Sequence, residues 1–189
     1  NLGNVYYRLG QTDKTLELLA EVIEMRRAVL GDDSPQVARG LTNLGAVYRI
    51  TGQFERAEET LRDAVARMEQ AYGPDHVDVA SAHRSLGLTL WSLKKADEAE
   101  AELRTAHRIA EAAYEEGTLG LAGYQNYLGR VLGHVGKYTE AETLLIASYD
   151  AHVAAHGADS EITAGAAEGL IELYEAWGRP DEAARYRPE

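Results

Sequence analysis

The sequence predicts an all-α chain, a right-handed α-solenoid of stacked helix-turn-helix repeats, on three observations. A Leu-Gly pair returns every 42 residues, at Leu2-Gly3, Leu44-Gly45, Leu86-Gly87 and Leu128-Gly129, with Leu170-Ile171 in the fifth place. Other columns keep the same step: Gly10, Gly52, Gly136 and Gly178, broken by Lys94; Ala57, Ala99, Ala141 and Ala183, opened by Thr15; Leu19, Leu61, Leu103 and Leu145; Ala38, Ala80, Ala122 and Ala164. Within a period the apolar residues fall at helical spacing and are interrupted by a glycine.

The elements follow in order. The first A helix begins at its sixth position, and Gly10 separates it from a B helix that runs to the break Leu30-Gly31-Asp32-Asp33-Ser34-Pro35. Leu41, Leu44, Val47 and Tyr48 form the second A helix, which ends at Thr51-Gly52, where glycine supplies a left-handed residue. Ala57, Leu61, Ala64 and Val65 form its B helix, with Glu55 in the first turn, ending near Tyr72-Gly73-Pro74-Asp75. Gly45 and Ala57 lack bulk, so the helices of a pair approach closely there while Leu44 and Leu61 fill the adjoining space. The fourth A helix carries Gly120, Gly123, Gly129 and Gly133, each costing about 1 kcal/mol relative to Ala, and is expected to be either the least stable or the most closely approached. The fifth unit has only a short B helix ending Tyr186-Arg187-Pro188-Glu189. One such pair cannot bury both faces, so neighbours stack with a nearest-neighbour core. Both ends of the stack are then expected to lack a full cap, and such exposed ends invite self-association. The chain is expected to form a single domain, 1–189, with repeats of about 1–37, 38–79, 80–121, 122–163 and a partial 164–189, cut from a longer protein.

Composition narrows the function. With 31 acidic and 19 basic side chains the formal charge is −12, which repels a phosphate backbone and disfavours nucleic acid and anionic membrane as partners. No apolar run approaches the roughly 20 residues of a membrane span, and the first residues have no leader character. The chain has no cysteine, which removes disulfides, thiolate metal sites and a Cys nucleophile and fits a cytoplasmic location.

The order Leu44-Gly45, Tyr48, Gly52, Ala57, Leu61, Ala64 resembles the tetratricopeptide repeat (TPR) signature. The 42-residue period, in place of the usual 34, with Gly73-Pro74-Asp75-His76-Val77-Asp78-Val79-Ala80 as linker, is similar to the kinesin light chain subtype. The resemblance covers essentially the whole chain; the added length gives each helix about one further turn. The stretch from Leu173 to Arg185 also resembles the closing unit of TPR arrays attached to bacterial serine/threonine kinases.

This resemblance implies that A helices line a concave groove. With the Leu of Leu-Gly as position 7, positions 2, 5, 9, 12 and 13 share one helix face. They read Asn4, Tyr7 and Arg8; then Arg39, Thr42, Ala46, Arg49 and Ile50; then Ser81, Arg84, Leu88, Trp91 and Ser92; then Gly123, Asn126, Arg130, Gly133 and His134. Each of these four units supplies an arginine and none a carboxylate, while the B helices hold most of the acid. Arg8, Arg39, Arg49, Arg84 and Arg130 therefore suit an acidic peptide, because guanidinium forks bind carboxylates bidentately. The alternative is that they are solvated or pair with B-helix carboxylates. Position 6 carries Asn43, where the resemblance implies a bond to a ligand backbone; Asn126 lies one place off. Arg stands where the carboxylate-clamp TPRs have Lys, so their ligand does not carry over. Trp91, beside Gly133 one unit on, forms either a packed contact or an aromatic-walled notch.

No enzyme constellation is expected, and no cofactor. His152 and His156 share a helix face without a carboxylate to complete a metal set, and His156 occupies the apolar column of Leu30, Tyr72 and Tyr114, which reads as packing. Gly117, Gly120 and Gly123 lack the Lys-Ser/Thr of a phosphate loop and read as a helix connection. Glu58-Glu59 and Glu115-Glu116 read as solvated faces, and a helix cannot aim Asp78, Ser81 and His83 at one point. The function expected is a protein-protein interaction scaffold that holds an acidic peptide or a partner's helix. The alternative is a regulatory or oligomerisation domain of a larger signalling protein such as a bacterial kinase.

Overall fold

The computed structural model describes residues 12–187, so Asn4, Tyr7 and Arg8 lie outside the described residues. Among those residues there are nine helices and no strand: α1 (Thr12–Leu30), α2 (Pro35–Ile50), α3 (Phe54–Tyr72), α4 (Val77–Ser92), α5 (Ala96–Ala113), α6 (Leu119–His134), α7 (Tyr138–His156), α8 (Glu161–Ala176) and α9 (Pro180–Ala184). The chain divides into two compact units, 1–95 and 96–189. The first holds α1 to α4 and the second α5 to α9.

The A-to-B turns share one backbone device. The residue after each turn's left-handed position donates its N–H five residues back: Gln53 to Tyr48 (2.8 Å), Lys95 to Leu90 (3.0 Å), Lys137 to Leu132 (2.9 Å) and Arg179 to Tyr174 (2.8 Å). This satisfies carbonyls that a helix end leaves open. Gly52, Gly136 and Gly178 take positive φ as their column predicts, and Lys94, which breaks the column, keeps the conformation at φ 63°.

In unit 1 the α2–α3 pair meets at the Leu-Gly column. A Cβ on Gly45 would lie 2.4 Å from Leu61 Cγ, and Leu61, Ala57 and Ala64 are wholly buried. Leucine fills the space that the missing side chain leaves, and its burial contributes about 2 kcal/mol. In unit 2 the same contact recurs between Gly129 and Leu145, at 2.7 Å, and Gly120 is approached to 2.5 Å by the Tyr114 ring and Gly133 to 3.1 Å by Leu173. The glycine-rich fourth A helix, α6, is thus closely approached from three sides.

Ion pairs recur at the same step. Lys95 reaches back to Glu58 at 2.8 Å, Lys137 to Glu100 at 2.5 Å and Arg179 to Glu142 at 3.5 Å. Each ties a turn to the preceding B helix. The lysine hydrogen bond is the main cause that holds the Glu58 and Glu100 carboxyls below their ordinary range. Glu58 is therefore a bridging group, half-buried and shared with Arg62 at 2.9 Å, and the expectation of a solvated Glu58-Glu59 face is corrected for Glu58.

At the end of unit 2, α9 is only five residues long. Arg179 sits 4.7 Å above the Trp177 ring and 5.5 Å above Tyr174. The Tyr174 hydroxyl donates to Glu142 at 2.7 Å; burial, then that carboxylate, pushes its ionisation well above the usual tyrosine range. Tyr186 packs edge-on to Tyr149 at 5.2 Å. Toward the start of α8 the cover ends. Ala164 is exposed, whereas Ala38, Ala80 and Ala122 of the same column are wholly buried.

Candidate functional site

The A helices of unit 1, α2 and α4, carry the predicted stripe in paired rows 42 residues apart. Arg39 and Asn43 are exposed, Arg49 and Arg84 half-buried, and Ala46, Leu88 and Trp91 half-buried around them. Two features depart from the helical-wheel expectation. Thr42 is buried, its hydroxyl donating to the Ala38 carbonyl at 3.0 Å. The hydroxyls of Ser81, Ser85 and Ser92 likewise donate to carbonyls one turn back, at 3.1, 2.9 and 3.1 Å. Short hydroxyl side chains in a helix satisfy themselves on their own backbone in this way, which leaves arginine and Asn43 as the long polar groups of the face.

Arg39 donates to the Asp78 carboxylate in the first turn of α4 and lies 5.8 Å above the Tyr72 ring. That hydrogen bond first, then the carboxylate charge, holds the guanidinium protonated more firmly than usual. Arg39 thus pairs with the neighbouring A helix, whereas the sequence weighed B-helix carboxylates as the alternative partners.

In unit 2 the stripe is treated differently. Arg130 on α6 pairs with Glu172 on α8 at 2.7 Å, and its stem crosses Gly169, where a Cβ would lie 3.2 Å from Arg130 Cγ. Gly133, expected on the stripe, is buried, while His134 is exposed. Asn126 is half-buried, and its Nδ2 meets no hydrogen-bond acceptor. The crevice lined by Arg130, His134, Glu172 and Leu173 has a volume of about 10 Å³, no more than a single water requires. The acid comes from a unit the sequence reading left unread: the same stripe positions on α8 are Gly165, Glu168, Glu172, Glu175 and Ala176. Extending the column by one repeat would have found it. Glu175 is itself paired with Arg187 at 2.6 Å.

Among the described residues no group of three His, Asp or Glu side chains could hold a metal ion. The His152 and His156 rings stack at 6.1 Å, but His156 is exposed at the helix end, so the packing role expected of it is corrected, whereas Tyr114 of the same column lies against Gly120. Burial, and secondarily His156, lowers the basicity of His152. Ser81 Oγ is turned to the Asp78 carbonyl and His83 Nε2 lies 3.4 Å from Glu69, so these three side chains do not converge. Gly117 lies in the α5–α6 connection with φ +75°, and no helix among the described residues is long and apolar enough to cross a membrane.

Paired helices repeated at a fixed step, with a polar face on the A helices, define a helical-repeat interaction scaffold. The tetratricopeptide repeat family matches residues 1–70, 41–112 and 120–186, and the chain belongs to that family. No curated protein matches it. Among solved structures it is similar to the nearly identical TPR-like repeats assigned to a kinesin light chain of Podosopora anserina, 21% identical over 98% of this chain and 88% of that one, with a TM-score of 0.80. BtubC (BKLC) from P. vanneervenii is 18% identical over 98% and 74% of the two chains, with a TM-score of 0.81. YrrB, a TPR protein with an unusual peptide-binding site, is 17% identical over 98% and 79%, with a TM-score of 0.58. At these identities the likeness shows the fold, an all-α solenoid of TPR helix pairs with repeats like those of the kinesin light chain.

Proposed function

We propose that the chain binds an acidic peptide segment of a partner protein on the A-helix face of α2 and α4. The observation that carries this reading is the set Arg39, Asn43, Arg49 and Arg84 on one face, with no acidic residue at the stripe positions of either helix. Each charge-assisted bond to a ligand carboxylate is worth about 1.5 to 3 kcal/mol when partly desolvated, and Asn43 offers a donor and an acceptor to a peptide backbone. Trp91 and Leu88 supply apolar surface in the same rows. YrrB, whose fold is shared, is described as having a peptide-binding site, which supports a peptide as the ligand class.

The test is a salt series of binding to an acidic peptide library, with Arg49→Glu/Arg84→Glu as control. Affinity should fall as salt rises and drop at least about tenfold in the double variant, since two charge-assisted bonds are lost. Equal binding by the two proteins refutes the reading. A second reading, self-association or contact with a larger parent protein, is favoured by α1, whose Leu18, Met25 and Val29 are 39%, 54% and 79% exposed. Sedimentation at rising concentration separates it from the first.

A further inference from the structure

The residues just before the A helices form a column of their own: Ser34 before α2, His76 before α4, Thr118 before α6 and Ser160 before α8, of which Thr118 alone makes no side-chain cap bond and turns its hydroxyl to the Glu115 carbonyl. Ser34 and Ser160 accept the N–H of the residue two places on with a hydroxyl oxygen, at 3.3 and 3.2 Å. His76 performs the same task with an imidazole, its Nδ1 accepting the Asp78 N–H at 3.2 Å. A hydroxyl accepts at any ordinary pH. An imidazole nitrogen accepts only while it keeps its lone pair, so the cap requires the neutral ring with its proton on Nε2.

The surroundings give the protonated ring somewhere to turn. Tyr72 of α3 stacks on it, with ring centres 4.4 Å apart and planes 12° from parallel. The Asp78 carboxylate of α4 lies 3.7 Å from the same Nδ1, and Arg39 of α2 donates into that carboxylate. Asp75 in the linker and, one turn back on α3, Glu69 facing His83 of α4 at 3.4 Å are further ionisable groups near this end of the helices.

We propose that His76 is a pH-sensitive cap that governs the release of Arg39 to an anionic partner. A proton taken from water onto Nδ1 converts the acceptor into a donor. The Asp78 N–H loses its partner, and a positive ring at the start of a 16-residue helix is opposed by the helix dipole. The new N–H is attracted to the Asp78 carboxylate, where it competes with Arg39. Released from that carboxylate, the guanidinium is available to a ligand on the α2–α4 face. The ligand arm of this mechanism rests on the proposed function; the cap itself does not.

The test uses the full chain, isotopically labelled, between about pH 7.5 and pH 5.5, where imidazoles titrate. The Asp78 amide and the Arg39 Nε–H are followed in the wild type and in His76→Ser, which keeps a cap of the kind found at Ser34 and Ser160. In the wild type both signals should follow a one-proton titration; in His76→Ser both should stay flat. A polyglutamate peptide should bind about threefold tighter at the lower pH to the wild type alone, the scale of an exposed ion pair released. Flat signals in the wild type, or an equal titration in His76→Ser, overturn the proposal whatever the peptide does. Titration with peptide affinity unchanged overturns the control of Arg39. Titration with no peptide bound at either pH supports the cap and refutes the acidic-peptide reading instead.

Discussion

The A helices of the two units carry arginines at related positions of the same repeat and put them to different use. In unit 1, Arg49 and Arg84 stand on a face without acidic stripe positions, and Arg39 meets a carboxylate only at the edge. In unit 2, Arg130 is drawn across Gly169 onto Glu172 and joins two A helices. A residue's position in a repeat therefore does not settle its role. For Arg130, what the next repeat places in the same column, Glu172, decides that it meets a neighbouring A helix. A buried glycine together with an acid one repeat on draws the guanidinium onto the next A helix.

The largest effects concern what the units share. Leu61→Ala in unit 1 and Leu145→Ala in unit 2 each remove a wholly buried side chain seated against a glycine, and each should cost about 3 kcal/mol in denaturant unfolding. A loss well under 1 kcal/mol in either would show that the Leu-Gly contact is not equivalent in the two units.

Acid should separate them. Glu58 in unit 1 and Glu100 and Glu140 in unit 2 have carboxyls held below the ordinary value of 4.5, chiefly by hydrogen bonds from Lys95, Lys137 and Arg104. A depressed carboxyl contributes stability that is present above its unfolded value and lost as pH falls through the folded one. Each contribution is at most about 1 kcal/mol for such exposed pairs. Below about pH 4.5, hydrogen exchange should therefore open α5 to α7, which hold two of the three, before α2 and α3.

Glu172→Gln acts directly on the comparison. Losing the Arg130 partner should cost no more than about 1 kcal/mol of stability and leave unit 2 with an arginine available to anions, so acidic-peptide affinity should rise by about threefold. A fall in affinity would place Glu172 within the binding surface. Smallest is Lys94→Gly, which relieves a left-handed residue and should gain about 1 kcal/mol in thermal unfolding; a loss would mean that the Lys94 side chain contributes more than its strained backbone costs.

Most of the fold was legible because a fixed period converts local signals into columns. Gly52, Gly136 and Gly178 end A helices as their spacing predicts, Ala57, Ala99, Ala141 and Ala183 are wholly buried, and Gly45 meets Leu61. Even the exception is informative, since Lys94 keeps the glycine's conformation. The site was legible only as a list. A helical wheel treats a face as a set of angles, so it put Thr42 and Gly133 on the surface, although Thr42 folds onto its own backbone and Gly133 lies under Leu173. Nor could it find the pairing of Arg39 with Asp78, which depends on how a linker sets down the next helix.

The most direct measurement follows the arginine Nε–H signals of the full chain during titration with an acidic peptide at low salt. The account predicts saturable shifts at Arg49 and Arg84, with Arg39 joining them and Arg130 unmoved. Shifts confined to Arg130, or none that saturate, would contradict it.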